Sequence, residues 1–259
     1  MSGPFVDGFA RAVRALADAK SVAAFTGAGV SAESGVPTFR GADGLWEGHS
    51  IEEVATPEAF HRDPVLVWRF YEERRKRMGS VEPNAGHAAL PRLEKLLGEV
   101  PVITQNIDGL HASAGSTRVI ELHGSLWRAR CAAGCGRVED PFPYPSPQVP
   151  PLCDCGGMLR PEVVWFREAL PEDAVRDALA AAEACEVMLV IGTSGVVWPA
   201  AGIPGLAREA GAFTIEINPT RSELTAEMDV SLRGPSAVLL PELVEAVTRA
   251  RGDAGPKSP

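Results

Sequence analysis

Five short apolar segments, at 21–25, 100–103, 119–122, 187–191 and 213–217, constrain the fold of this 259-residue chain more than any other feature. They are rich in β-branched residues and do not alternate with polar ones, so each reads as a strand buried on both faces. Helical periodicity fills the intervals at 9–19, 64–78, 88–97, 171–185 and 241–250. Pro171 followed by Glu172 and Asp173 makes a good helix start, because proline fits the first turn and carboxylates complement the positive end of the dipole. Strands alternating with helices imply the α/β class, with a doubly wound, mostly parallel sheet.

Two regions break the rhythm. Residues 128–159 carry paired cysteines and a proline-rich run at 141–151, the pattern of a small metal-stapled insert. Residues 40–77, punctuated by Gly41 and Gly44, read as a second excursion, over the sheet edge. The end of the chain, 252–259, reads as disordered. No internal repeat is visible.

Hydrophobic residues make up 45% and charged residues 23%, values that suit a folded globular protein. The net charge of −9 argues against a nucleic-acid backbone as main partner, since such binding needs a basic face. An acidic surface also suits lysine-rich targets, although keeping the protein in solution is explanation enough. No run approaches the roughly 18 apolar residues of a membrane span, and residues 1–7 lack a signal-peptide layout. A cytoplasmic protein without membrane partners is expected; the oligomeric state is not fixed by the sequence, with a monomer favoured.

After the first strand comes Gly27-Ala28-Gly29-Val30-Ser31-Ala32, which fits the dinucleotide glycine fingerprint in its alanine-ended form. Glycines let a backbone approach a pyrophosphate, and a following helix offers free N–H groups. A tight strand-to-helix turn without ligand is the alternative. The acidic residue that a dehydrogenase places about 20 positions on is missing. Instead Ser34 to Arg40 is followed by a glycine-punctuated stretch ending at Leu45-Trp46, either a lid over a cofactor or a plain surface loop.

In an open α/β sheet, ligands bind beyond the carboxyl ends of the strands. There the sequence places Gln105, Asn106, Ile107, Asp108 and His111 after one strand, His123-Gly124 after the next, then Gly192-Thr193-Ser194, then Asn218. A histidine near its ordinary pKa of about 6.5 suits removal of a proton from a hydroxyl at neutral pH. His123 is the candidate base and His111 its rival, while His49, His61 and His87 read as surface or capping residues. Cys131 with Cys135 and Cys153 with Cys155 supply four thiols, which close a tetrahedral zinc without leaving an open position, so the metal would be structural. Two disulfides or four unligated thiols are the alternatives. Cys185, in an apolar stretch, reads as core filling.

Taken together and in this order, the Gly27 loop through Arg40, Thr104 to Asp108, His123-Gly124, the cysteine pairs, Val163-Val164-Trp165-Phe166 and Gly192 to Ser194 resemble the sirtuin family. The resemblance implies a Rossmann-like NAD-binding domain (1–127 and 160–251, with a helical excursion at about 40–78), a zinc module at 128–159, and a cleft where NAD meets an acyl-lysine peptide. It implies that the acyl oxygen attacks the nicotinamide ribose, nicotinamide leaves, and His123 deprotonates the ribose so that free lysine and O-acyl-ADP-ribose form. By the same resemblance, Asn106 orders the ribose and a water, Asp108 holds the nicotinamide amide, and Phe39 screens the reactive carbon. Further cofactor contacts would come from Gly27, Ala28, Gly29, Ser34, Pro37, Thr38, Arg40, Trp46, Gln105, Ile107, Gly192, Thr193, Ser194, Asn218 and Ser236. Val163, Trp165 and Phe166 resemble the strand-like segment that pairs with the substrate peptide. Here the chain departs from the family, with Arg167 standing where glycine is usual.

Tyr71 and Arg74, three apart on one helical face, together with Ala55 resemble the subgroup that accepts succinyl, malonyl or glutaryl lysine. An arginine fork and a phenol bind a terminal carboxylate, and a small alanine leaves room for the longer chain. Membership of the solvated run Arg74 to Arg77 is the plain alternative for Arg74. The expected activity is therefore NAD-dependent removal of succinyl or malonyl, and more weakly acetyl, groups from protein lysines. ADP-ribosyl transfer, NAD hydrolysis, or an inactive NAD-binding module are the rivals.

Overall fold

The computed structural model describes residues 4–37, 45–46 and 48–253, with side chains for those within 7–37 and 48–252. In chain order the elements are helix α1 (Pro4–Asp18), strands β1 (Val22–Thr26), β2 (Leu45–Trp46) and β3 (His49–Ser50), and helices α2 (Ile51–Val54), α3 (Pro57–Arg62), α4 (Pro64–Met78) and α5 (Ala85–Leu97). Then come β4 (Val102–Thr104), α6 (Leu110–Ser113), β5 (Val119–Glu121), β6 (Gly124–Cys131), β7 (Val138–Glu139) and β8 (Leu159–Val163). The chain ends with α7 (Glu172–Ala184), β9 (Val187–Ile191), α8 (Ile203–Glu209), β10 (Phe213–Ile217), β11 (Val230–Leu232) and α9 (Ser236–Asp253).

Six strands form one parallel sheet in the order β11-β10-β9-β1-β4-β5. Successive residues of β1 point to opposite faces, as strand geometry requires. Val22 and Ala24 pack with Leu16 of α1, Leu90 of α5 and Leu240 of α9, whereas Ala23 and Phe25 pack with Ala178 of α7 and Ala207 of α8. The doubly wound α/β reading is therefore correct. A third core joins Phe60, Trp68 and Tyr71 from α3 and α4 to Leu126, Leu159 and Trp165, beside the antiparallel sheet β7-β6-β8.

Several boundaries differ from expectation. Strand β1 lies one residue later than the apolar run. Strand β11 was not anticipated, because Val230-Ser231-Leu232 is a short edge strand that alternates and so lacks the continuous apolar run of its neighbours. Helix α8 was missed because it is short and carries Pro204 and Gly205 in its first turn. Helix α9 starts at Ser236, with Pro241 inside it, and ends at Asp253, so Gly252 and Asp253 are helical. Strand β8 ends at Val163, which leaves Val164, Trp165 and Phe166 outside the sheet. None of the helices among the described residues is long and apolar enough to cross a membrane.

Candidate active site

Strands β1 and β9 are neighbours whose crossovers leave in opposite directions, which makes their carboxyl ends the switch point of the sheet. The loops leaving these strands pack backbone against backbone. Gly29 N donates to Gly192 O at 2.7 Å, and a Cβ on Gly192 would stand 2.3 Å from Val30 N. Residues 28–34 then form a 3-10 helix rather than the α-helix of the usual fingerprint. Gln105 Nε2 donates to Thr193 Oγ1 (3.1 Å) and Asn218 Nδ2 to Thr193 O (2.7 Å), so the ends of β4, β9 and β10 are tied together. Gly27, Gly29, Gln105, Gly192, Thr193 and Asn218 thus meet on one edge.

A buried polar chain lies beneath this edge. Asn84 N donates to His87 Nδ1 (3.3 Å), His87 Nε2 lies 3.2 Å from Ser31 Oγ, and Ser31 Oγ donates to Asp108 Oδ2 (2.8 Å). Since His87 Nδ1 accepts, its Nε2 carries the proton and donates to Ser31. Asn106 Nδ2 donates to the same Ser31 Oγ (3.1 Å) and to Gly27 O (3.2 Å), and Leu110 N donates to Asp108 Oδ1 (2.9 Å). Each polar group of Asn106 and Asp108 named here is therefore held by a specific partner before any ligand arrives. His87 is fully buried, not a surface residue; it caps α5 and also reaches the site. The sequence reading named Ser31 only as part of the glycine loop and His87 as a surface or capping residue, of which the capping half holds, and it did not assign either of them or Asn84 to the site.

His123 Nδ1 lies 2.9 Å from Gln105 O. Burial holds its pKa below the ordinary imidazole value, while the carbonyl contact acts in the opposite sense. The next residue must be glycine: Gly124 has φ +76°, and a Cβ there would stand 2.1 Å from Glu162 O. The rival, His111, is buried with Nε2 3.0 Å from Thr26 Oγ1, and burial followed by its neighbour His87 pushes its pKa down to about 3. Behind the strands, Thr26 Oγ1 also donates to Thr104 Oγ1 (2.8 Å).

On the other side, Tyr71 is buried and its hydroxyl accepts from Trp165 Nε1 at 3.0 Å. Burial raises the phenol to about 12, so it stays protonated. Arg74 is buried too, its guanidinium 5.8 Å from the Phe70 ring centre, which removes it from the solvated face formed by Lys76 and Arg77. Ala55 is buried in the same core cluster as Tyr71, Val163 and Trp165, and its carbonyl accepts from Phe166 N at 3.0 Å.

Ser34 Oγ accepts from Asn84 Nδ2 (3.0 Å) and Ser236 Oγ donates to Glu33 Oε2 (3.3 Å), so both serines flank the glycine loop. Pro37 is exposed. Thr38, Phe39 and Arg40 lie outside the described residues, as does the side chain of Trp46.

The sulfurs of Cys131 and Cys155 are 3.5 Å apart, those of Cys135 and Cys153 are 3.7 Å apart, and all four lie within 4.8 Å of one another. A disulfide needs about 2.05 Å. A zinc tetrahedron with bonds of about 2.3 Å has edges of about 3.8 Å, so these thiols fit a structural zinc. Cys185 is buried in the core formed with α7 and α8.

A model of the Sir2 family matches residues 27–199. The chain is 54% identical over 235 residues to a protein of Pyrobaculum aerophilum named NAD-dependent protein deacylase 2, covering 90% of this chain and 94% of that one. A solved Sir2 homolog–NAD complex is similar with a TM-score of 0.86 at 46% identity, covering 93% and 94% of the two chains. Sir2Af2 bound to a myristoylated histone peptide is similar with a TM-score of 0.75 at 35% identity, covering 95% and 99%. With the glycine loop, the Asn106–Asp108 cluster, His123 and the four thiols all inside or alongside these matches, the chain belongs to the Sir2 family.

Proposed function

We propose that this protein is an NAD-dependent protein-lysine deacylase that prefers acyl groups ending in a carboxylate, succinyl and malonyl above acetyl. The observation that carries the preference is Arg74, a cation buried beside Tyr71 on α4 rather than spread on the solvated face. A guanidinium presents a planar fork of donors that matches a carboxylate, and a phenol one turn away adds a neutral donor for the same group. Ala55 supplies room for the longer acyl chain.

NAD, when bound, supplies a glycosidic bond that breaks to release nicotinamide and a ribose that receives the acyl group. The residues suited to hold it are Gly27, Ala28, Gly29, Ser34, Gln105, Ile107, Gly192, Thr193, Ser194, Asn218 and Ser236. They fit because the edge is built from backbone groups, hydroxyls and carboxamides, the donor and acceptor set that ribose hydroxyls and phosphates require. His123 takes the proton of a ribose hydroxyl through Nε2, since Nδ1 faces a carbonyl. Asn106 and Asp108, fixed through Ser31, recognise the ribose side and the nicotinamide amide. The deacylase name carried by the Pyrobaculum aerophilum relative supports the reaction class, and the acylated histone peptide on Sir2Af2 supports acyl-lysine proteins as substrates. In the same reading, residues 128–159 form the zinc module and 1–127 with 160–251 form the NAD-binding domain.

The test is kcat/KM for one peptide carrying succinyl-lysine or acetyl-lysine at saturating NAD. A succinyl preference of at least about tenfold is expected for a buried charge-assisted contact. Equal values, or a preference for acetyl, would remove the carboxylate pocket from the account.

A further inference from the structure

Arg167 is the only residue other than glycine, among the described residues, with a positive φ, +73°. It occupies the third position of a turn closed by Glu168 N donating to Trp165 O at 3.1 Å, and Phe166 before it is not in the left-handed region. That is the φ pattern of a type II turn, whose third position favours glycine because a Cβ is crowded there. A long, charged side chain held in this strained conformation calls for a role that the backbone alone does not give.

The surroundings say what the role is. The turn sits against the catalytic edge: Val164 N donates to His123 O (2.9 Å), and Phe166 N donates to Ala55 O (3.0 Å). Arg167 follows Val164 by three residues, at most about 10 Å of extended chain. An acyl-lysine that reaches His123 therefore brings its neighbouring residues past this turn. The Arg167 side chain is 63% exposed, and Glu58 on α3, its nearest anion, lies 3.7 Å away and is 60% exposed. At that distance the pair makes no hydrogen bond, and exposed pairs of this kind bind weakly. The adjacent carboxylate, Glu168, is occupied instead by Arg160 at 2.6 Å and 2.8 Å. The planar fork of Arg167 is thus left with donors to offer a second carboxylate.

We propose that Arg167 is a specificity-determining residue that reads an Asp or Glu side chain close to the acyl-lysine in the protein substrate. This rests on the deacylase reading and adds a sequence preference that is separate from the acyl pocket at Arg74.

The experiment compares wild type, Arg167→Gly, Arg167→Lys and Arg167→Glu on peptides identical except for Asp, Ala or Lys beside the acyl-lysine. Both kcat/KM with NAD and peptide affinity by fluorescence anisotropy are measured. Wild type should favour the Asp peptide over the Ala peptide by about fivefold, the scale of a part-exposed ion pair. That ratio should fall to near one in Arg167→Gly, be retained in part by Arg167→Lys, and invert in Arg167→Glu. Turnover with the same ratio in wild type and Arg167→Gly overturns the assignment and leaves the deacylase reading standing. An Asp preference in affinity that vanishes in Arg167→Gly, in a protein that deacylates nothing, upholds the assignment and rejects the deacylase reading. Absence of both turnover and any binding difference overturns both.

Discussion

His123 Nδ1 stands 2.9 Å from the main-chain carbonyl of Gln105. A carbonyl only accepts, so the ring proton sits on Nδ1 and the lone pair lies on Nε2, the atom proposed to act as the base. His123→Ala should lower kcat by about 10²–10⁴-fold, the range for loss of a positioned general base. Because burial lowers the pKa of His123, the neutral form is already dominant at pH 7. Activity should rise with pH through a midpoint below the ordinary imidazole value and level off above it. A pH–rate profile in which activity falls between about pH 6.5 and 7.5 would contradict this assignment.

The second buried imidazole gives a stability prediction. His111 is pushed down to about 3 in the folded protein from the ordinary imidazole value of about 6.5. Between those values the unfolded chain binds the extra proton, so the stabilising contribution is complete above about pH 6.5 and is lost as pH falls toward 3. His87 is shifted in the same direction, first by its own burial. Urea midpoints of wild type should fall between pH 7.5 and 5, and His111→Gln should flatten that slope. Parallel slopes would show that His111 is not the source.

Zinc should be bound at one ion per chain, by elemental analysis of the purified protein. Cys153→Ser removes a buried sulfur from the set of four and should release the metal and lower the thermal midpoint. Full metal retention in that variant would mean that the four sulfurs do not act as one site.

Arg74→Met keeps the volume of the side chain while removing its charge. Desuccinylation should drop by about 100-fold, the scale of a lost buried charge-assisted hydrogen-bond pair, while much of the deacetylation survives. Equal loss of both activities would assign Arg74 to packing of α4 instead.

Arg167→Gly should relieve backbone strain at φ +73° and raise stability by up to about 1 kcal/mol, read from the urea midpoint. A less stable variant would mean that the arginine side chain itself holds the turn.

The sheet was legible because buried parallel strands read as continuous apolar runs, and those at 187–191 and 213–217 appear with their predicted ends. Edge strand β11 and helix α8 lacked that signature, the one short and polar-interrupted and the other short with proline and glycine in its first turn. At the site, Gln105, Asn106, Asp108 and His123 stood out by their position after apolar runs. Ser31 and His87 did not, because a buried hydrogen-bond chain joins residues 56 and 77 positions apart and leaves no mark on local sequence. The preference for His123 over His111 came from the ordered set of motifs around His123-Gly124, whereas the different partners of the two rings, a main-chain carbonyl and the Thr26 hydroxyl, leave no mark on local sequence.

The central claim is that this protein moves an acyl group from lysine to ADP-ribose at the expense of NAD. The most direct measurement is product identification by mass spectrometry after incubation with NAD and succinylated, acetylated or unmodified forms of one peptide. The account predicts nicotinamide and O-acyl-ADP-ribose in equal amounts with free lysine, fastest from the succinylated peptide and absent with the unmodified one. Free ADP-ribose or ADP-ribosylated protein, with the peptide still acylated, would contradict it.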